Sequence, residues 1–337
     1  MITIKEMANM LGLSTTTVSN VIHGKTTEVS QETIEKVNKL LEEYEYVPNI
    51  SARNLASNES KIVGVGIVSK ENNDNYLKDA FISELVGAME RELKKDGYAL
   101  MMYFSETAQE LIRTVLSWNV DGMILVGMGK EDCELVQKRY KKPQVFVDSY
   151  PGEAEMAGIS IGLDDRQGGY LMGKYLSEQG HRDILFLADN FSGVDYERYC
   201  GFSAALAEAG CPVDQRNFFK LGTGEEGLEK SLAELYCICT EYTALFAASD
   251  YYALRITNYL REKGMKVPRD ISVAGFDDNI YSQMSYPAIT TVHQSATEKG
   301  ETAVRYLMRL KQGEKIRENR VVLPVRLVVR ETVKRIR

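Results

Sequence analysis

Carboxylates stand at the ends of two apolar runs in this 337-residue chain. Asp148 follows Val145–Val147, and the pair Asp277-Asp278 follows Ile271–Phe276. Such runs read as buried parallel strands, and open α/β sheets bind ligands beyond the carboxyl ends of their strands. Arg198 lies in a helical stretch that begins near Asp195. Ionised acceptors and a forked guanidinium make paired, directional hydrogen bonds, a chemistry suited to the vicinal hydroxyls of a polyol. Each side chain also has a structural reading: a cap on the next turn for Asp277, an ion pair with Glu197 or another surface acid for Arg198.

Signals of bond-making chemistry are missing together. No Gly-x-Gly-x-x-Gly fingerprint with an acidic partner follows the early strands, and neither a phosphate-cradling loop nor a Gly-x-Ser-x-Gly elbow occurs. His23, His181 and His293 are far apart, and Cys133, Cys200, Cys211, Cys237 and Cys239 have no zinc-site spacing. Cys237 and Cys239 are expected reduced and mostly packed. The expectation is a non-enzyme without cofactor or metal.

The elements that would carry these residues alternate. Short apolar runs at Ile62–Val68, Ala99–Phe104, Gly122–Val126 and Gln144–Val147 read as strands, separated by helical spans Phe81–Lys95, Gln109–Trp118 and Asp132–Tyr140. A second set comprises strands Asp183–Leu187, Asn217–Phe219, Ala244–Ala247 and Ile271–Ala274, with helices near Arg166–Gln179, Asp195–Ala209, Leu228–Ile238 and Tyr251–Lys263. Gly180-His181 and Gly210-Cys211-Pro212 punctuate helix ends, and Gly64 and Gly66 would let the first strand pack closely. Two such sets imply two α/β lobes.

Residues 1–47 read differently, as an all-α unit. Thr3-Ile4-Lys5-Glu6 is a capping box; Met7, Ala8 and Leu11 continue an apolar face, and Gly12 permits a tight turn. Ser14 caps a second helix that turns Val18, Val21 and Ile22 inward and leaves Thr15, Thr16, Ser19 and Asn20 outward. A third helix from Ser30 would complete the core with Ile34, Val37, Leu41 and Tyr44. Two helices crossing at a glycine turn, the second with a short polar face, form a helix-turn-helix suited to a major groove. Pro48 ends the unit, and 50–57 would form a helix of only about two turns, which needs a partner to be stable. Leu55 is placed to wedge between base steps of a minor groove, or equally to anchor the segment against the body, and Arg53 to lie near phosphate or the helix core.

Charge does not favour nucleic acid by itself. Residues 1–60 contain five basic and eight acidic side chains, and the remainder 36 and 40. Attraction to a polyanion would be weak, so recognition would rest on helix N-termini, the hydroxyls of Thr15, Thr16, Thr17 and Ser30, and contacts doubled in a dimer. Lys5, Lys25 and His23 could face the duplex. No apolar run approaches the roughly 20 residues that span a bilayer, and no secretion segment is read, so a soluble cytoplasmic protein is expected.

These residues resemble the lactose-repressor (LacI/GalR) family of bacterial transcription regulators. The resemblance rests on Thr3-Ile4-Lys5-Glu6-Met7-Ala8, Ser14 followed by Thr17-Val18-Ser19, Val29-Ser30, and Tyr46-Val47-Pro48-Asn49 followed by Ala52-Arg53 and Leu55. It implies a fold of class α/β: a two-lobed periplasmic-binding-protein-like body behind an N-terminal all-α helix-turn-helix domain. The head spans 1–47, the hinge 48–60 and the body 61–337, with lobe 1 at 61–161 plus 293–322 and lobe 2 at 162–290 plus 323–337. Three crossovers would join the lobes.

The resemblance also assigns roles. Thr15 and Thr16 lead as base readers with Asn20 beside them, and Thr17, Ser19, His23, Arg53 and Leu55 complete the DNA-facing set. His23 and Thr33 depart from the usual asparagine and basic residue. In the body, Asp148, Arg198, Asp277 and Gln294 match effector-contacting positions, and Phe81 matches a wall of the site, though its spacing with Leu85 and Met89 also makes a core stripe. Ser249 stands where many sugar-responsive relatives carry asparagine, and Gly222 near an aromatic platform, which points to a larger ligand or to stacking by Tyr150 or Tyr196. The implied function is a repressor released from a pseudopalindromic operator by a small carbohydrate. The implied assembly is a homodimer, since 325–337 reads as a strand and basic tail rather than a leucine heptad. The competing reading is a non-enzymatic solute-binding or carbohydrate-active protein whose head is a structural cap.

Overall fold

A computed structural model describes residues 2–22, 24–46, 59–68, 76–149 and 158–336. The chain divides into two compact units, Met1–Ser60 and Lys61–Arg337.

In the first unit, α1 (Ile4–Leu11) begins on the expected capping box. The Glu6 amide donates to Thr3 Oγ1 at 3.2 Å, and Glu6 Oε2 accepts the Thr3 amide at 2.8 Å. Gly12 then takes φ 64°, a left-handed geometry that costs glycine little, and turns the chain into α2 (Thr15–Ile22). Ser14 accepts the Thr17 amide at 3.0 Å, and α3 (Gln31–Glu43) starts on Ser30. Met7, Ala8, Val18, Val21 and Val37 form the buried centre. Tyr44 does not join it: as the cap residue ending α3 it is 43% exposed, and Tyr46 packs against the core instead.

The second unit contains two parallel sheets. One has the order β11-β5-β4-β3-β1-β2, from β1 (Ile62–Val68), β2 (Ala99–Ser105), β3 (Gly122–Val126), β4 (Gln144–Val147), β5 (Ile159–Leu163) and β11 (Arg320–Leu323). The other has the order β7-β6-β8-β9, from β6 (Ile184–Ala188), β7 (Phe218–Lys220), β8 (Ala244–Ala247) and β9 (Ser272–Ala274). The central strands β3, β4, β6 and β8 are buried throughout, which explains their unbroken apolar runs. Gly66 on β1 lies where a Cβ would meet Leu111 at 2.8 Å, the close packing expected of it, whereas Gly64 has ordinary clearance.

Helices follow the strands: α4 (Ala80–Lys95), α5 (Ala108–Ser117) and α6 (Lys130–Arg139) in the first half, then α7 (Asp165–Glu178), α8 (Gly193–Glu208), α9 (Gly224–Ile238) and α10 (Asp250–Glu262). Gly180 and Gly210 follow α7 and α8 at φ 96° and 75°. The chain leaves the first sheet after β5 and enters the second at β6. It returns through the short α11 (Ile280–Met284), β10 (Thr291–His293) and α12 (Ala296–Lys311) to β11. After β12 (Arg326–Val328), which pairs antiparallel with β10, it crosses again. The Val273 amide donates to Thr332 O at 3.0 Å and the Ile336 amide to Gln179 O at 2.8 Å, which ties the last residues to the second half. The tail is thus part of the packing.

Two helix crossings are unusually close. A Cβ on Gly169 of α7 would lie 1.9 Å from Arg198 O, and one on Gly201 of α8 would lie 1.8 Å from Arg166 O. On α12, a Cβ at Gly300 would meet Leu85 O of α4 at 2.6 Å. Only glycine permits these backbone approaches. Among the described residues no helix is long and apolar enough to cross a membrane.

Candidate functional site

In the head, the α2 surface divides as the sequence predicts. Val18 and Val21 are buried, Thr15 and Thr16 are exposed, and Ser19 and Asn20 are partly exposed. Thr17 has a different position. Its amide donates to Ser14 Oγ, and its hydroxyl lies 2.9 Å from the same oxygen, so it helps start the helix. Thr15 and Thr16 therefore offer the less encumbered hydroxyls. His23, Arg53 and Leu55, together with the rest of 47–58, lie outside the described residues.

In the body, Phe81, Asp148, Arg198, Ser249, Asp277 and Gln294 line one cleft of about 750 Å³. Six positions spread over more than 210 residues converge because the strands of both sheets end there. Asp148 is the first residue after β4, and its amide donates to Ile161 O at 2.9 Å. Asp277 lies beyond β9, with its amide on Val292 O at 2.8 Å. Both depart from ordinary backbone, at φ 47° and 123°. A short polar side chain tolerates the first value far better than the second, which is glycine-like geometry.

Arg198 is held rather than free. Its Nε donates to Asp165 Oδ1 at 2.9 Å and its Nη1 to Ala248 O at 2.7 Å, and its guanidinium carbon sits 3.7 Å from the Phe276 ring centroid. The partner is the buried Asp165, the first residue of α7, and not Glu197 or another surface acid. Burial works against the Arg198 charge, but Asp165, Asp277 and Asp195 outweigh it and keep its pKa above the usual value. Asp277 does not cap the next turn; Asn279 does, accepting the Tyr281 amide at 2.9 Å. Ser249 caps α10 by accepting the Tyr252 amide at 3.3 Å, so the hydroxyl facing the cleft also has a structural partner.

Two residues central to the cleft escaped the sequence reading. Lys299 of α12, completely buried, donates to both Asp148 oxygens at 2.8 and 2.7 Å and to Gln294 Oε1 at 2.8 Å. Gln294 Nε2 then donates to Asp277 Oδ1 at 2.6 Å. Its clue was a lysine inside the apolar spacing Ala296, Gly300, Ala303, Val304, Leu307. Asp195 also lines the cleft, accepts from Asn190 Nδ2 at 2.8 Å and lies 3.8 Å from Arg198. Burial pushes Asp195 up to about 7; Arg198 opposes the shift, and the Asp189 and Asp165 charges add to it. Burial likewise raises Asp277 well above the ordinary carboxylate range, opposed by Arg198 and reinforced by Asp250.

Aromatic faces come from the expected Phe81 and from two tyrosines the sequence did not single out. Phe81 lines the wall, with the Lys299 ammonium 4.8 Å from its ring centroid, and Tyr251 and Tyr252 line it from α10. Tyr252 donates its hydroxyl to Asp189 Oδ2 at 2.8 Å. Tyr196, expected as a stacking platform, points elsewhere and packs edge-on against Phe191. Tyr150 lies outside the described residues. Gly222 donates its amide to Ser231 Oγ, midway along α9, at 2.8 Å and is not among the cleft residues. Among the described residues, no group of three or more His, Cys, Asp or Glu side chains could hold a metal ion.

Both units have relatives. Residues 3–49 match the model for bacterial regulatory proteins of the lacI family, and 174–333 match a periplasmic binding protein-like domain. The chain is 33% identical over 346 residues to the HTH-type transcriptional repressor PurR of Vibrio parahaemolyticus, covering 100% of both chains. A crystal structure of the lac repressor dimer bound to operator and the anti-inducer ONPF matches with TM-score 0.85 and 27% identity, covering 99% of each chain. The transcriptional regulator CelR–cellobiose complex matches with TM-score 0.73 and 27% identity, covering 98% of this chain and 100% of that one. A helix-turn-helix head, a periplasmic-binding-protein-like body and a full-length match of this kind place the chain in the LacI family of bacterial regulatory proteins, DNA-binding transcriptional regulators controlled by small-molecule effectors.

Proposed function

We propose that this chain is a cytoplasmic, non-enzymatic repressor that binds a pseudopalindromic operator as a homodimer and is released by a small neutral carbohydrate. The carrying observation is the convergence of Asp148, Arg198, Asp277 and Gln294 on one cleft, with Phe81 beside them. Fixed acceptors and a forked donor at the ends of two sheets match the alternating hydroxyls of a sugar, and an aromatic wall matches its apolar face. A sugar complex of the CelR relative and a dimeric, operator-bound lac repressor support the same reading.

On the DNA side, Thr15, Thr16, Ser19 and Asn20 read a half-site. Thr17 positions the helix, while His23 and Arg53 contact phosphate and Leu55 enters the central step. Sugar binding between the lobes changes the geometry at Lys61 and so the hinge's ability to fold on DNA.

The test combines a thermal-shift screen of mono- and disaccharides with operator footprinting in the presence of each hit. Two protected half-sites that disappear with a sugar are expected, and Leu55→Ala should weaken the operator complex while leaving sugar binding intact. Phe81 and Tyr251 also offer faces to a planar heterocycle, so nucleobases belong in the screen. A nucleobase hit without a sugar hit would overturn the carbohydrate assignment and leave the regulator standing.

A further inference from the structure

We infer that Lys299 is a positioning residue that sets the effector specificity of the cleft, making its Asp148 end accept a neutral hydroxyl in preference to an ammonium group. The inference rests on the carbohydrate reading above and adds to it the charge state of the ligand group at one defined point.

Lys299 projects from the buried face of α12, where Ala296, Gly300, Ala303, Val304 and Leu307 are its helical neighbours. A lysine at such a position is costly unless its charge is matched and its three donors are used. Its three hydrogen bonds go to cleft-lining groups: two to Asp148 and one to Gln294 Oε1. The Gly300–Leu85 approach brings α12 against α4 and sets the ammonium 4.8 Å from the Phe81 ring centroid. Lys299 therefore lies behind three cleft residues without lining the cleft itself.

That placement has two effects. An ammonium only donates, so Gln294 must turn its oxygen toward Lys299 and its Nε2 toward Asp277, which fixes the amide orientation. The result is a continuous path, Asp148–Lys299–Gln294–Asp277, from the end of β4 to beyond the end of β9. Secondly, a positive charge bound to both Asp148 oxygens balances that carboxylate from behind. Asp148 keeps lone pairs for a hydroxyl donor, but a second cation there would sit close to the first. Asp148 without Lys299 would be an uncompensated acid that favours an amine.

The full-length protein is titrated with D-ribose, D-glucose and D-galactose, and with aminodeoxy analogues of each that carry the amine at different ring positions. Unmodified protein should prefer the parent sugar over every analogue. Lys299→Met should swing that preference by about tenfold or more toward the one analogue whose amine replaces the hydroxyl at Asp148, and leave the other ratios unchanged. Lys299→Gln keeps a donor but removes the charge; it should swing the same ratio and serves if the Met variant does not fold. Equal loss of binding for parents and analogues would reduce Lys299 to a packing role and overturn the inference, with the carbohydrate reading intact. Failure of these three and of every other mono- and disaccharide in the screen to bind the unmodified protein would sink the carbohydrate reading and the inference with it.

Discussion

Arg198 and Asp165 form an ion pair that water barely reaches, with Nε 2.9 Å from Oδ1 and 7% and 2% of the two side chains exposed. It links α7 to α8 where Gly169 and Gly201 bring the two backbones together. The guanidinium is thus both a cleft-lining group and part of the interior. Arg198→Ala leaves Asp165 buried without its cation and is expected to cost about 3–5 kcal/mol of stability. Adding Asp165→Asn should recover part of that loss, while sugar binding stays absent in both variants. Denaturant unfolding with isothermal titration checks this; unchanged stability in the single variant would show the pair to be incidental.

Neighbouring hydroxyls of the head should separate by role. Ser14→Ala removes the cap on α2 and should cost about 1 kcal/mol, seen as faster amide exchange across residues 15–22. Thr16→Ala touches nothing in the core and should change stability by less than about 0.5 kcal/mol. It should nevertheless weaken operator binding by about tenfold in the dimer, where each lost contact counts twice. Equal operator binding by Thr16→Ala and unmodified protein would remove Thr16 from the reading set.

The raised Asp195 carboxyl predicts a pH dependence with a definite sign. Its pKa rises from 3.8 in the unfolded reference to about 7 in the fold. The native state therefore holds a proton that the unfolded chain releases between these values. This stabilising contribution is complete below about pH 4 and is lost as pH rises through about 7. Asp195→Asn removes the titration, so the fall in Tm between pH 5 and pH 8 should be smaller in the variant, by an amount corresponding to roughly 1–4 kcal/mol. Parallel melting profiles for the two proteins would discount the buried proton.

Much of the architecture was legible because its signals are local. The capping box at Thr3 and Glu6, the Gly12 turn and the buried runs of β3, β4 and β8 each follow from a few adjacent residues. Segments whose reasons are distant were harder to read. β5 is a five-residue strand containing a glycine, too short for a clear period, and it is completed by β4 on one side and β11 on the other. In α12, Lys299 and Gly300 interrupt the apolar stripe although both are buried, because Asp148 meets the first and the α4 backbone the second. Tyr44 has the right helical spacing for the core, but α3 ends before it and Tyr46 takes that role. The cleft candidates converged because strand ends are marked by polar residues after apolar runs. Their partners were invisible for the opposite reason: Asp165 lies 33 residues from Arg198, and Lys299 lies 151 from Asp148.

The backbone at Asp148 and Asp277 has a consequence for how new ligand preferences can arise. With φ at 47° and 123°, these two sites admit a very small alphabet, chiefly glycine and the short polar residues, and they reject β-branched side chains on steric grounds. Ligand preference therefore cannot be rewritten freely at these two positions beyond β4 and β9. Side-chain exchange meets no such backbone barrier at Ser249, Gln294 and Lys299, whose φ is not positive, so a retuned cleft is more easily reached through those three positions than through 148 and 277.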